Sequence, residues 1–127
     1  MTRQAVHTDA APKAIGPYSQ AIRSGDLVFC SGQLGLDPAS GQLADGLDAQ
    51  VGQALRNLDA VLSAAGSGPS GVVKTTVFLA SMDDFAAVNE IYSGYFGESV
   101  PARSAVAVKT LPKNALFEIE AIAAVLG

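Results

Sequence analysis

Residues 48–80, DAQVGQALRNLDAVLSAAGSGPSGVVKTTVFLA, decide the fold. Val51, Ala54, Leu55, Leu58, Val61, Leu62 and Ala65 recur at the three-and-four spacing that lays one apolar stripe along a helix. The spacing predicts a helix over residues 48–65, with Gly66 as its left-handed cap. Over residues 72–80 the pattern changes: Val72, Val73, Thr75, Thr76 and Val77 are β-branched and suit a central strand. Downstream, Ser81-Met82-Asp83-Asp84 reads as a capping box with Asp in the Glu position. Phe85, Val88, Tyr92, Tyr95 and Phe96 then follow at helical spacing up to Gly97. Two strands, 103–109 and 116–125, finish the chain around a turn containing Pro112. Upstream, residues 4–8 are a weak strand and 19–24 and 27–31 a hairpin across Gly25-Asp26, which reverses the favoured Asp-Gly order. Residues 38–46 read as loop. The order β-β-β-α-β-α-β-β makes an α+β fold, one sheet with both helices packed on a single face.

The other face then needs a cover. Phe117, Ile119, Ala121, Ala123 and Val125 alternate with Glu118, Glu120, Ile122 and Ala124, so the last strand is apolar on both sides toward its end. Hydrophobic residues make up 49% of the chain and charged residues 16%. A chain of 127 residues hides that much apolar surface poorly by itself, and association through the sheet is the simplest cover.

Composition also removes function classes. Eight Lys and Arg stand against twelve Asp and Glu, with no basic cluster, which argues against nucleic acid or an anionic membrane as partner. No apolar run approaches a bilayer span, and the start, MTRQAVHTDAAPKAIG, lacks an apolar signal region, so the expected compartment is the cytoplasm. The lone Cys30 allows no internal disulfide, and Cys30 with the lone His7 cannot make a conventional zinc cluster. Cys30 reads as a small buried hydrophobe and His7 as a surface side chain.

Arg103 opens a strand of small and apolar residues, where a guanidinium must reach solvent or bind an anion. If 103–109 and 116–122 pair as a hairpin symmetric about Pro112-Lys113, Ala107 faces Glu118 and Arg103 faces Ile122. That register puts Arg103 and Glu118 on one face of the sheet beside small alanines. Residue types alone leave two readings open: an ordinary ion pair between Arg103 and Glu118 or Glu120, or a carboxylate-binding cation beside a water-orienting carboxylate.

GPYSQA (16–21), FCSGQLGLDP (29–38), VVKTTVFL (72–79), DFAAVNEIY (84–92) and PARSAVAVKTLPKNALFEIEAIA (101–123) together resemble the RidA/YjgF family of enamine/imine deaminases. The likeness spans nearly the whole chain, read as one domain over 1–127, and its most specific part is P-A-R-S followed at the proper distance by L-P-K and E-I-E-A-I-A. It implies a chorismate-mutase-like subunit with a mixed sheet, a homotrimer built around a barrel of sheets, and active sites between subunits. It also implies hydrolysis of 2-imino acids such as 2-iminopropanoate and 2-iminobutanoate to 2-keto acids and ammonia, without metal or cofactor.

By the same resemblance, Arg103 grips the substrate carboxylate and Glu118 holds the attacking water. Tyr18 walls the pocket, Gly32 lets backbone approach the ligand, Asn89 lines the cleft, and the backbone carbonyl of Ala105 meets the imine nitrogen. Without the resemblance, Tyr18 reads as a loop-packing aromatic, Gly32 as a strand-end or bulge glycine, and Asn89 as a helix residue bonding nearby backbone. The chain departs from the family at Ala105, where many members carry Cys, at Phe117, where an aliphatic residue is usual, and in a shorter segment before Pro101. Two other functions belong to the same fold: binding of small carboxylates without turnover, and a ribonuclease or translation-inhibitor activity. The acidic charge argues against the latter.

Overall fold

The computed structural model describes residues 2–127. Eight main elements follow one another: β1 (Arg3–Val6), β2 (Ala21–Ser24), β3 (Leu27–Leu34), α1 (Leu47–Ala64), β4 (Val72–Leu79), α2 (Phe85–Phe96), β5 (Ala102–Ala107) and β6 (Phe117–Ala124). The expected element order is present. One six-stranded sheet has the order β1-β2-β3-β6-β4-β5. Its pairs are antiparallel except for β4 with β5, so the sheet is mixed.

Period-2 patterning sets the faces. Along β6, Phe117, Ile119, Ala121 and Ala123 are buried while Glu118, Glu120 and Ile122 lie on the other side. Val77 and Leu79 of β4 and Val28 of β3 join the buried row, and both helices pack against it. The stripe read on α1 is buried as expected, and Phe117 is the largest fully buried side chain among the described residues. Its extra volume over an aliphatic residue is absorbed in the core. At the end of α1, Gly66 N–H donates to Ser63 O and Ser67 N–H to Leu62 O, the paired bonds of a Schellman motif.

Three local expectations change. Gly25 has φ 60 while Asp26 keeps a negative φ, which is the type II′ turn. That turn wants glycine first, so the reversed dipeptide is the right one for it. β3 does not stop at Ser31: a bulge between Cys30 and Gln33 carries the pairing with β6 on to Leu34. The Ser81 side chain accepts the Asp83 N–H and so caps a short 3-10 turn, Met82–Asp84, that leads into α2.

The pairing of the last two strands is a larger correction. β5 and β6 do not form a hairpin. β5 returns through α2 to lie parallel beside β4, with Thr75 opposite Arg103, and β6 inserts between β3 and β4. Burial explains the placement. The strand carrying Phe117 and Ile119 gains most at the centre of the sheet, whereas the small residues of β5 lose little at its edge. The connection through Lys113 and Asn114, with φ of 58 and 54, is an irregular crossing and not a hairpin turn.

Candidate active site

The parallel crossover fixes which way Arg103 faces. Thr75, its neighbour on β4, turns toward the helices and shares a 2.7 Å hydrogen bond with the Tyr92 hydroxyl of α2. Arg103 follows the same side. Its Nη1 donates to Asn89 Oδ1 at 2.8 Å, and its guanidinium carbon lies 4.8 Å from the Tyr92 ring centre and 5.3 Å from that of Phe85. Phe85, Asn89 and Tyr92 share one face of α2 at the i, i+4, i+7 spacing and make a cradle of two rings and an amide oxygen. The one ion pair found among the described residues is His7 with Asp9 on the surface. The ordinary ion-pair reading of Arg103 is therefore not realised among the described residues, where its guanidinium has no carboxylate within ion-pair distance. The 2.8 Å hydrogen bond sets Asn89 beside Arg103. Ala105, two residues along the same edge strand, is partly buried against the core.

Glu118 sits elsewhere. It pairs with Phe78 on β4 and Leu34 on β3. Phe78 is three residues from Thr75, and an odd separation along a strand reverses the face. Glu118 and Arg103 therefore lie on opposite sides of the sheet, and the expectation that one chain brings them together fails. Period-2 alternation assigns each residue a face within its own strand, but β5 pairs with β4 and not with β6, so the two faces are not shared.

What surrounds Glu118 is a second cluster. A Cβ on Gly32 would overlap Glu118 Oε2 and stand 2.9 Å from its Cδ, so the bulge glycine leaves the space the carboxylate fills. Half-burial, followed by the like charge of Glu120, holds the Glu118 carboxyl above the usual carboxylate range. Gly32 also lines a cavity with Tyr18, Ile15, Leu34, Leu36 and Pro112. Tyr18 is half exposed, and its hydroxyl accepts the Ile15 N–H at 3.3 Å.

Side-chain amides absent from the sequence reading hold this cluster. The buried Asn57 donates to Leu34 O and Leu36 O at 3.0 and 2.9 Å, and Gln53 donates to its oxygen at 2.8 Å. Gln50 Oε1 accepts the Leu116 N–H at 2.8 Å, fixing the entry to β6. Gln20 accepts from Thr8 N–H and donates to Thr8 O and Pro12 O, while Ser31 Oγ donates to Ser19 O at 2.6 Å. These amides stand out in the sequence only as polar breaks in apolar stripes. Cys30 is buried among hydrophobic residues, its thiol pushed up to about 12 by burial, in keeping with the role of a small hydrophobe.

The family described as endoribonuclease L-PSP matches residues 8–125. The chain belongs to that family. Among L-PSP relatives, the mouse protein named 2-iminobutanoate/2-iminopropanoate deaminase is 53% identical over 122 residues, 95% of this chain and 90% of its own. The crystal structure of RidA from an Antarctic Psychrobacter superposes with a TM-score of 0.93 at 45% identity, covering 95% of this chain and 98% of that one. Escherichia coli TdcF, solved with bound serine, gives a TM-score of 0.92 at 40% identity over 95% and 98% of the two chains. The resemblance to RidA proteins drawn from the motifs is thereby borne out, as is the α+β fold with its mixed sheet.

Proposed function

We propose that this L-PSP family protein hydrolyses small reactive 2-imino acids, 2-iminopropanoate and 2-iminobutanoate, to 2-keto acids and ammonia. In this reading, residues 1–127 act as one cytoplasmic domain. The observation that carries it is the Arg103 guanidinium, held by Asn89 and two rings and paired with no carboxylate among the described residues, in a chain half identical to a protein named for that deaminase activity. A planar carboxylate accepts two parallel N–H donors from such a fork, which places the adjacent imine carbon as well as supplying charge. The relative TdcF, solved with bound serine, accommodates a ligand of this size class.

Because Glu118 faces away from Arg103 in one chain, the reading includes a homotrimer of chorismate-mutase-like subunits. Each site then joins the Arg103, Asn89 and Ala105 side of one copy to the Tyr18, Gly32 and Glu118 side of the next. Phe29, Phe78, Val106 and Ile122, on the sheet face that no helix covers, support the association: Phe29 and Val106 are each 44% exposed.

The chemistry requires only placement and proton transfer. Glu118 takes one proton from a water whose oxygen bonds to the imine carbon, and returns it to the nitrogen, leaving a carbinolamine. Its hydroxyl proton then passes by the same carboxylate to the nitrogen as the C–N bond breaks, giving a keto acid and ammonia. The Ala105 carbonyl accepts a hydrogen bond from the imine N–H. A carboxyl held above its ordinary value is better matched to receiving and returning a proton near neutrality. Its working form is the ionised one, so activity falls as pH drops through that raised value.

The test couples a threonine dehydratase to the protein and follows keto-acid formation. The wild type accelerates it, Arg103→Ala does not, and an undiminished rate in Arg103→Ala overturns the reading. Glu118→Gln separates turnover from mere carboxylate binding: it abolishes hydrolysis but keeps affinity for 2-oxobutanoate. The ribonuclease activity in the family's name finds little support in a chain with eight basic residues against twelve acidic ones.

A further inference from the structure

Three observations close a loop around Arg103. Its backbone pairs with Thr75 in the parallel register of β5 on β4. The Thr75 hydroxyl meets the Tyr92 hydroxyl at 2.7 Å, and the Tyr92 ring lies 4.8 Å from the Arg103 guanidinium carbon. One residue of β4 thus fixes both where the arginine leaves the sheet and where the ring beside its head stands. We propose that Tyr92, tethered by Thr75, is a positioning residue that sets the orientation of the Arg103 guanidinium toward the substrate carboxylate.

Packing does not explain the hydroxyl pair. Thr75 is fully buried and Tyr92 nearly so, on a strand whose other inward residues near it are Val77 and Leu79. Valine would fill the place of Thr75 and phenylalanine that of Tyr92, and the two would leave no polar atom to satisfy. What the pair adds is a fixed ring. Arg103 stands on an edge strand with a long, rotatable stem, and Asn89 takes one N–H at Nη1. A guanidinium held at a single point can swivel about it; a ring fixed at its far end opposes that motion and draws the cation by its π face. Phe85, 5.3 Å from the same guanidinium carbon, has no polar group through which it could be tethered.

The inference rests on the function proposed above, and the experiment separates the two. Tyr92→Phe, Thr75→Val, the double variant and Tyr92→Leu are compared by calorimetric titration with 2-oxobutanoate and by imine-hydrolysis kinetics. Tyr92→Phe and Thr75→Val each raise Kd and KM about three- to tenfold with kcat within about twofold. The double variant is no worse than either single, since both remove one bond, and Tyr92→Leu, which also loses the ring, weakens binding further. Wild-type Kd and KM in both Tyr92→Phe and Thr75→Val overturn the proposal, even where the melting temperature falls, because the pair is then structural only. If 2-oxobutanoate binds wild type and Arg103→Ala equally, the proposed function fails and this inference goes with it.

Discussion

Gly32 and Glu118 compete for one volume, and that contest ties the bulge of β3 to the carboxylate carried by β6. A methyl group on Gly32 would overlap the Glu118 carboxylate, the mobile tip of a side chain, and not any backbone atom. The tip can swing aside at little cost to folding but at a large cost to any water it orients. Gly32→Ala is therefore expected to keep its melting temperature within about 3 °C of wild type while kcat/KM for imine hydrolysis falls about tenfold or more. Thermal unfolding and the coupled assay check the two halves; loss of both together would mark Gly32 as a folding glycine only. At this scale the sequence was informative in kind and incomplete in partner. The bulge-glycine reading of Gly32 was correct, and Arg103 stood out as a cation among small residues. That Gly32 makes room for Glu118, and that Arg103 lies between Phe85 and Tyr92, depends on contacts between residues far apart in the chain, which residue type does not encode.

Helix α1 carries more than its apolar stripe. Asn57, fully buried, satisfies the Leu34 and Leu36 carbonyls where β3 leaves the sheet, and Gln50 satisfies the Leu116 N–H where β6 enters it. The helix thus holds both strands whose ends carry Gly32 and Glu118. Asn57→Leu would leave two carbonyls without partners and is expected to lower stability by about 2–5 kcal/mol, measured by urea unfolding, with a drop in turnover at temperatures where the variant is folded. A change below about 0.5 kcal/mol would show that water replaces the amide. Periodicity made α1, α2, β4 and β6 legible because each has one face in the core. It could not choose the neighbours of β5 and β6, since alternation assigns a face and says nothing of which strand lies alongside. The insertion of β6 between β3 and β4 is decided by how much apolar surface the centre of the sheet buries, a property of all the strands together.

For the whole molecule, the decisive fact is that Arg103 and Glu118 occupy opposite sides of one sheet. A site that needs both must draw them from two copies, and this has a signature that no single-chain site shares. Arg103→Ala and Glu118→Gln, each inactive alone, are mixed in equal amounts, unfolded and refolded together. Random assembly into rings gives intact pairs at about one site in four, so about a quarter of wild-type activity returns. No recovery, with the refolded mixture shown to be assembled, would place the chemistry inside one subunit or in a different pairing of surfaces. The apolar excess suggested association through the sheet before any strand was placed, whereas the acidic composition argued only against nucleic acid or an anionic membrane. Which edges would meet was beyond reach, because a sequence carries no coordinates for its neighbour.

The uncovered face of the sheet has a kinetic consequence. If each subunit owns only part of every reaction centre, output per milligram depends on how crowded the subunits are. A stock diluted below the threshold for association would lose rate faster than it loses protein, and regain it on concentration without any chemical repair.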